Sequence, residues 1–305
     1  MDGLLKLVVT PLNKTLRIYL AKRHPEWLAK MIYKRMLGRK LDLKHPRDLN
    51  EKINWLKFNS DTSEWTRLAD KYRVRDYVKE RGLENILVPL LGKWDSAEEI
   101  DFNILPKQFV LKTNNGAGTV LVIKDKSNLN IPEVRKEFAK RLIQTKIGYQ
   151  TAELHYTRII PCIIAEELLI DSSPEDFSQS MIDYKIWCFN GKPYCCWVAY
   201  DRNIETGEYL LDLYDLNWLP IRGYLTHPET RKFKGVLKKP DNWEKMLEYA
   251  SLLSKGHKQV RVDLYNINGK IYFGELTFTS LGGYMAYFTP EFLRVMGGKI
   301  KLDMK

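Results

Sequence analysis

Apolar and polar residues change period several times along the chain, and each change marks an element. Near the start, Leu4, Leu7, Val8, Leu12, Leu16 and Tyr19 recur at helical spacing, with Lys6, Lys14, Arg17 and Lys22 between them. That pattern predicts a helix over residues 4–22, followed by a second over 25–37. A shorter helix is expected over 48–58, with Asn50 as N-cap and Ile53, Trp55, Leu56 and Phe58 apolar. Residues 65–81 read as one helix that ends before Gly82, and 86–91 as a short buried strand or loop. Strands over 107–111 and 119–123 flank a loop, Asn114-Asn115-Gly116-Ala117-Gly118. A helix over 132–146 and a buried strand within 158–169 follow. Strands over 183–189 and 193–199 enclose Asn190-Gly191, residues 201–240 are loop-rich, and 242–255 is helical. The last pair, 260–265 and 270–278, encloses Asn268-Gly269. This irregular alternation favours an α+β or mixed α/β fold over a doubly wound sheet.

The longest apolar runs, 159–165 and 86–92, have seven residues each, against the ~20 needed to span a bilayer. Asp2 and Lys6 interrupt any leader-like start. The chain is therefore expected to be cytoplasmic. Cys162, Cys188, Cys195 and Cys196 lie among apolar residues without the spacing of a zinc site, which reads as reduced core thiols.

Charge changes the picture. Of a formal +11, residues 1–44 carry +8, from eleven Lys or Arg and three acidic residues. Such a basic amphipathic arm can lie on an anionic membrane surface, meet an acidic polymer, or pack with its basic face solvated. Nucleic acid is disfavoured, because no DNA- or RNA-binding motif accompanies the charge.

Three segments could carry chemistry. In FVLKTNNGAGTVLVIK (109–124), Lys112 ends a strand before a loop whose Gly116 and Gly118 permit close approach of backbone N–H groups to a phosphate. A plain glycine hairpin fits the same residues. In VRVDLYNINGKIYFGELTF (260–278), Arg261 and Asp263 share one strand face, and Glu275 and Thr277 share one face of the next. Two carboxylates so placed suit Mg2+; the alternative is a solvated surface hairpin. In IIAEELL (163–169), a strand ends at Glu166-Glu167 and offers backbone groups to an adenine edge, or is an ordinary strand end.

The order of these segments, with NEKINWLKF, LADKYRVRDYV and DYKIWCFNGKP between and before them, resembles the TupA-like ATP-grasp proteins, associated with teichuronopeptide and capsular polysaccharide biosynthesis. The resemblance covers about residues 50–290. It implies an α+β ATP-grasp fold, with two subdomains gripping ATP after a basic helical arm. The expected division is 1–44 arm, 45–106 preceding region, 107–168 small subdomain with the glycine loop, and 169–305 C-terminal subdomain with the metal site. By matching position, Lys71 and Lys112 would contact ATP phosphates, and Gly116 and Gly118 would belong to the phosphate loop. Glu166, Glu167 and Leu168 would form the adenine edge, Asp183 would hold ribose, and Lys185 would reach phosphate. Asp263, Glu275 and Thr277 would bind Mg2+, with Thr277 standing where D-alanine–D-alanine ligase-like members carry Asn. Arg261 would be catalytic together with Lys112, steadying the transferring phosphoryl group.

The implied reaction is ATP-dependent joining of an amine or amino acid to a carboxylate through an acylphosphate. The carboxylate would be a uronic acid on an acidic glycan or lipid-linked saccharide at the inner membrane face. The competing readings are a glycosyltransferase or glycan kinase of the same pathway, and a non-catalytic binder of acidic polymer. One geometric condition follows for the hairpin. A regular two-residue turn at Asn268-Gly269 would send Asp263 and Glu275 to opposite faces. A shared cation therefore requires an odd-length loop or a bulge with the same effect. In the odd-loop case Arg261 would lie opposite Glu275, with Asp263 diagonal to it.

Overall fold

A computed structural model describes residues 14–116, 120–143, 147–171, 178, 180–203, 208–226 and 235–303. The chain divides into two compact units, Thr62–Ile170 and a second made of Met1–Asp61 with Asp171–Lys305. Each contains helices and one antiparallel sheet, an α+β organisation.

In the unit Thr62–Ile170, strands β1 (Leu90–Trp94), β2 (Phe109–Thr113), β3 (Val120–Ile123) and β4 (Ile163–Glu167) form a sheet in the order β1-β4-β2-β3. Alternation along β2 sends Phe109 and Leu111 into a core with Ile123, Ile163, Ala165 and Trp94. Helix Ile131–Ile143 closes that core with Val134 and Phe138. Val110 and Lys112 fall on the other face. The single helix expected over 65–81 is instead two, Ser63–Ala69 and Val74–Glu80. Asp70 breaks it: its buried carboxylate accepts from the N–H of Tyr72 (2.8 Å) and Arg73 (3.2 Å). A local side-chain acceptor here outcompetes the helical ladder. The strand expected within 158–169 shortens to β4, preceded by the short helix Leu154–Thr157.

In the other unit, β5 (Asp183–Phe189), β6 (Lys192–Tyr200), β7 (Leu210–Tyr214), β8 (Gln259–Ile267) and β9 (Lys270–Thr277) are ordered β7-β6-β5-β8-β9. Helix Trp243–Ser254 packs on β5, β6 and β8. Its buried Met246, Ala250 and Leu253 cover the face carrying Ile186, Cys188, Val260, Val262 and Leu264. Both two-residue turns have two left-handed residues, Asn190-Gly191 (φ 51° and 75°) and Asn268-Gly269 (φ 52° and 75°), as a type I′ turn requires. Strand β7 lies within the region expected to be loop-rich. The expected N-cap at Asn50 moves to Asp48, whose carboxylate accepts from Glu51 N at 3.0 Å and starts helix Leu49–Asn59. Arg39 then bridges Asp48 and Glu51. Of the first expected helix, the described part is Lys14–Arg23; residues 4–13 lie outside the described residues. All four cysteines are buried and free. Cys195 and Cys196 do point to opposite faces, opposite Trp187 and Ile186 respectively. Burial pushes the Cys162 and Cys188 thiols up to about 12, so they are inert.

Candidate active site

The β8–β9 hairpin begins with a regular turn, Ile267 pairing with Lys270, which by itself puts the two carboxylates on opposite faces. The register then shifts between Asp263 and Leu264. Leu264 pairs with Phe273 and Asp263 with Glu275, so Gly274 is the extra residue of a bulge. The expected alternative of an odd loop is absent, and the bulge restores the parity. It also alters the expected pairing: Asp263 lies directly opposite Glu275, and Arg261 opposite Thr277. Only glycine fits the bulge, because a Cβ there would stand 2.9 Å from the Asp263 carbonyl oxygen.

Strand pairing extends this face. Lys185 on β5 lies opposite Asp263, and Trp197 on β6 opposite Lys185. The Arg261 guanidinium grips both Asp263 oxygens, Nε to Oδ1 and Nη2 to Oδ2, at 2.7 Å each. It also donates to Ser280 Oγ (3.1 Å), Thr277 Oγ1 (3.0 Å) and Glu275 Oε1 (3.3 Å). Thr277 in turn donates to Glu275 Oε1 at 3.0 Å. Lys185 Nζ donates to Asp263 Oδ2 at 2.7 Å and lies 3.5 Å from Asp183. Arg202 reaches Asp183 at 3.4 Å, and Tyr265 hydrogen-bonds it.

Burial disfavours the charged Lys185 ammonium, but Asp183 and Asp263 outweigh that and raise its pKa. Burial likewise works against Arg261, and Asp263 and Glu275 more than offset it. Asp183, with burial second, drives the Tyr265 phenol upward. The result is a buried, charge-paired face opposite an apolar one.

Asp263 and Glu275 supply the hard oxygen donors Mg2+ prefers. Asp263 already accepts three hydrogen bonds, which leaves one of its about four lone-pair sites. The Glu275 side chain is 42% exposed. No group of three or more His, Cys, Asp or Glu able to hold a metal occurs among the described residues. The donor set thus fits an ion that completes its shell with water and phosphate oxygens, not one caged by protein.

In the other unit, Lys112 Nζ meets Glu166 Oε2 at 2.5 Å, and Arg75 Nη1 reaches Glu166 Oε1 at 3.3 Å. Glu166 pairs with Val110, so Lys112 and Glu166 share a face by regular antiparallel register. Lys71 is brought to the loop start by its backbone: Lys71 N donates to Asn114 O at 2.9 Å. Asn114 is buried and fixed, its side chain bonding Ile160 O and Cys162 N. Gly116 follows two residues on, whereas Gly118 lies outside the described residues. Glu167 pairs with Phe109 and donates its N–H to Pro89 O, and Leu168 follows it half-buried.

Sequence reasoning missed Arg75, Ser280 and Tyr265. Arg75 stands four residues after Lys71, and Tyr265 continues the Arg261–Asp263 alternation, so both carried a periodic signal. Ser280 carried none.

A family model described as TupA-like ATPgrasp matches residues 51–301. Among solved structures, a D-alanine–D-alanine ligase from Bacillus anthracis is 14% identical, with a TM-score of 0.40. The alignment covers 76% of this chain and 63% of that one, so the chain spans less than two thirds of that ligase. A D-alanine–D-alanine ligase from Helicobacter pylori is 13% identical, covering 84% and 70%, with a TM-score of 0.41. A D-cycloserine synthetase is 13% identical, covering 92% and 79%, with a TM-score of 0.46. No curated protein matches the chain significantly.

Proposed function

The chain belongs to the TupA-like ATP-grasp family, and from that premise we infer that it is an ATP-dependent carboxylate–amine ligase. The observation that carries the reading is the register-corrected pair of a buried Asp263 and a partly exposed Glu275, held with Arg261 on one face. A polymer-binding surface has no need of a buried acid paired through a bulge with a second, partly exposed one.

In this reading a substrate carboxylate oxygen bonds to the γ-phosphorus of ATP and ADP leaves. The amine nitrogen then bonds to the acyl carbon, the acyl C–O bond to phosphate breaks, and the amine loses a proton. Arg261 offsets negative charge on the transferring phosphoryl group. Lys112, Lys71 and the Gly116 loop bind and orient ATP phosphates, and Lys185 turns from Asp263 to phosphate. Asp183 holds ribose, and Glu166 to Leu168 border the adenine. Asp263 and Glu275, with Thr277 beside them, would hold Mg2+, which would supply neutralisation of phosphate charge.

The carboxylate is a uronic acid of an acidic surface glycan or lipid-linked saccharide, and the amine an amino acid. The basic arm brings the enzyme to the inner membrane face or to its acidic acceptor. In the arm, Leu16, Tyr19 and Trp27 are 40%, 56% and 54% exposed beside Lys22, Arg23 and Lys30, a mix suited to an anionic interface. No helix among the described residues is long and apolar enough to cross a membrane.

The test is phosphate release with ATP, Mg2+, uronic acids and amino acids, with products weighed by mass spectrometry. An amide adduct, lighter than its two parts by one water, is expected. Phosphate retained on the product would instead make it a kinase. Nucleoside diphosphate released from a sugar nucleotide without ATP use would make it a glycosyltransferase. Salt-sensitive polymer binding without turnover would make it a binding protein.

A further inference from the structure

Helix Leu49–Asn59 buries polar side chains that the chemistry above does not use. Asn50, Asn54 and Lys57, spaced to fall on one helix face, grip the segment after β9. Asn50 Nδ2 donates to Met285 O (2.9 Å), and Asn50 Oδ1 accepts from Met285 N (3.0 Å). Asn54 Nδ2 donates to Gly283 O (2.9 Å) and Lys57 Nζ to Gly282 O (2.8 Å). The Lys57 ammonium also sits 4.7 Å from the Tyr284 ring centroid. Leu281, Gly282 and Gly283 all have positive φ (45°, 69° and 80°), and a Cβ on Gly283 would stand 2.7 Å from Asn54 Nδ2. Farther along, Leu225 bridges Phe288, and Thr226 N donates to Tyr287 O at 2.9 Å.

This segment is therefore fixed at both ends, and it presents two groups to the charged face. Ser280 Oγ accepts from Arg261. Tyr287 packs edge-on against Trp197, ring centroids 4.2 Å apart. Trp197 lies opposite Lys185, itself opposite Asp263. The Tyr287 hydroxyl is buried without a hydrogen-bond partner among the described residues, as is the indole N–H of the 5% exposed Trp197. Burial drives the Tyr287 phenol well up, although Arg261 is close enough to pull it down. It thus keeps its proton at neutral pH. A buried donor left unpaired is costly, and here two stand together beside a buried arginine.

We propose that the Tyr287 hydroxyl is a substrate-contacting group. It donates a hydrogen bond to an anionic oxygen of the carboxylate substrate at Arg261, and Asn50, Asn54 and Lys57 act as positioning residues for it. The identity of that substrate rests on the ligase reading.

The experiment compares wild type with Tyr287→Phe in ATP-dependent phosphate release, using glucuronate, galacturonate and acetate as carboxylates. Expected is a loss of about tenfold to a hundredfold in kcat/KM for the carboxylate, with KM for ATP unchanged. Thermal stability should not fall, because the lost hydroxyl has no partner among the described residues. Lys57→Met should lower kcat for the carboxylate and again spare KM for ATP. Unchanged carboxylate kcat/KM in Tyr287→Phe overturns the contact, and a higher KM for ATP in Lys57→Met overturns the positioning role. A wild type that turns over none of these overturns the ligase reading instead. Tyr287 is then tested by the 19F resonance of 3-fluorotyrosine-labelled protein that disappears in Tyr287→Phe. A shift with millimolar acetate supports the contact, and an unmoved resonance overturns it.

Discussion

Lys112 meets Glu166 across regular antiparallel pairing, whereas Asp263 meets Glu275 only because of one extra residue in β9. Both sheets turn an apolar face to a core and hold cations against carboxylates on the other. In the first sheet, parity needs no correction, and Glu166 has cations on separate elements, Lys112 on β2 and Arg75 on helix Val74–Glu80. In the second, Asp263 is nearly inaccessible, its side chain 2% exposed, and is held by Arg261 and Lys185 together. We expect the cluster on regular register to tolerate loss of one member better than the cluster on the bulge, whose Asp263 side chain is 2% exposed.

The largest contrast should come from removing the enclosed carboxylate. Asp263→Asn leaves Arg261 and Lys185 buried against less negative charge. We expect about 3–5 kcal/mol lower stability by urea unfolding, together with loss of Mg2+-dependent turnover. A loss below about 1 kcal/mol would show that the cations relax to solvent and that the enclosure is unimportant. Gly274→Ala tests the bulge itself. The added Cβ must push against the Asp263 carbonyl, and misplacement of this kind costs on the order of a hundredfold in turnover. Full activity in that variant would mean that the carboxylates need not share a face.

Lys112→Met is the matching test in the regular sheet. Glu166 keeps Arg75, so stability should change by only about 1–2 kcal/mol, while ATP affinity measured by fluorescent-nucleotide displacement falls about tenfold. Unchanged affinity would remove Lys112 from the nucleotide site. The smallest effect is in alkaline solution. Because the folded-state pKa of Lys185 is raised above its ordinary 10.5, its stabilising contribution is full below 10.5. It is lost as pH climbs from there through the folded value. Urea midpoints taken stepwise into that range should fall more steeply for wild type than for Asp263→Asn. Parallel slopes would indicate that Asp263 does not hold the Lys185 proton.

Much of the candidate site was legible because its residues repeat at short range. Arg261 and Asp263 alternate, Glu275 and Thr277 alternate, and Asn268-Gly269 announces the turn between them. The need for a parity correction followed from these same positions, yet whether the loop or the strand supplied it did not. Gly274 in a strand interior hinted at a bulge, but the hint has no meaning until a partner strand is present. The helix expected over 65–81 failed at Asp70 for a similar reason. Its apolar spacing is helical, and the competing hydrogen bonds to Tyr72 and Arg73 carry no periodic signal.

Neighbours along the chain carry the alternation of each strand and the apolar setting of the cysteines, and the order of motifs along it carries membership of an ATP-grasp family. Tertiary structure decided which charges meet. Lys185 joins Asp263 from 78 residues away, Glu166 joins Arg75 from 91, and Asn50 grips Met285 from 235. Period-2 alternation assigns a side chain to a face. Strand order, register and bulges assign that face its neighbours, and these depend on non-local pairing that no short window of sequence contains.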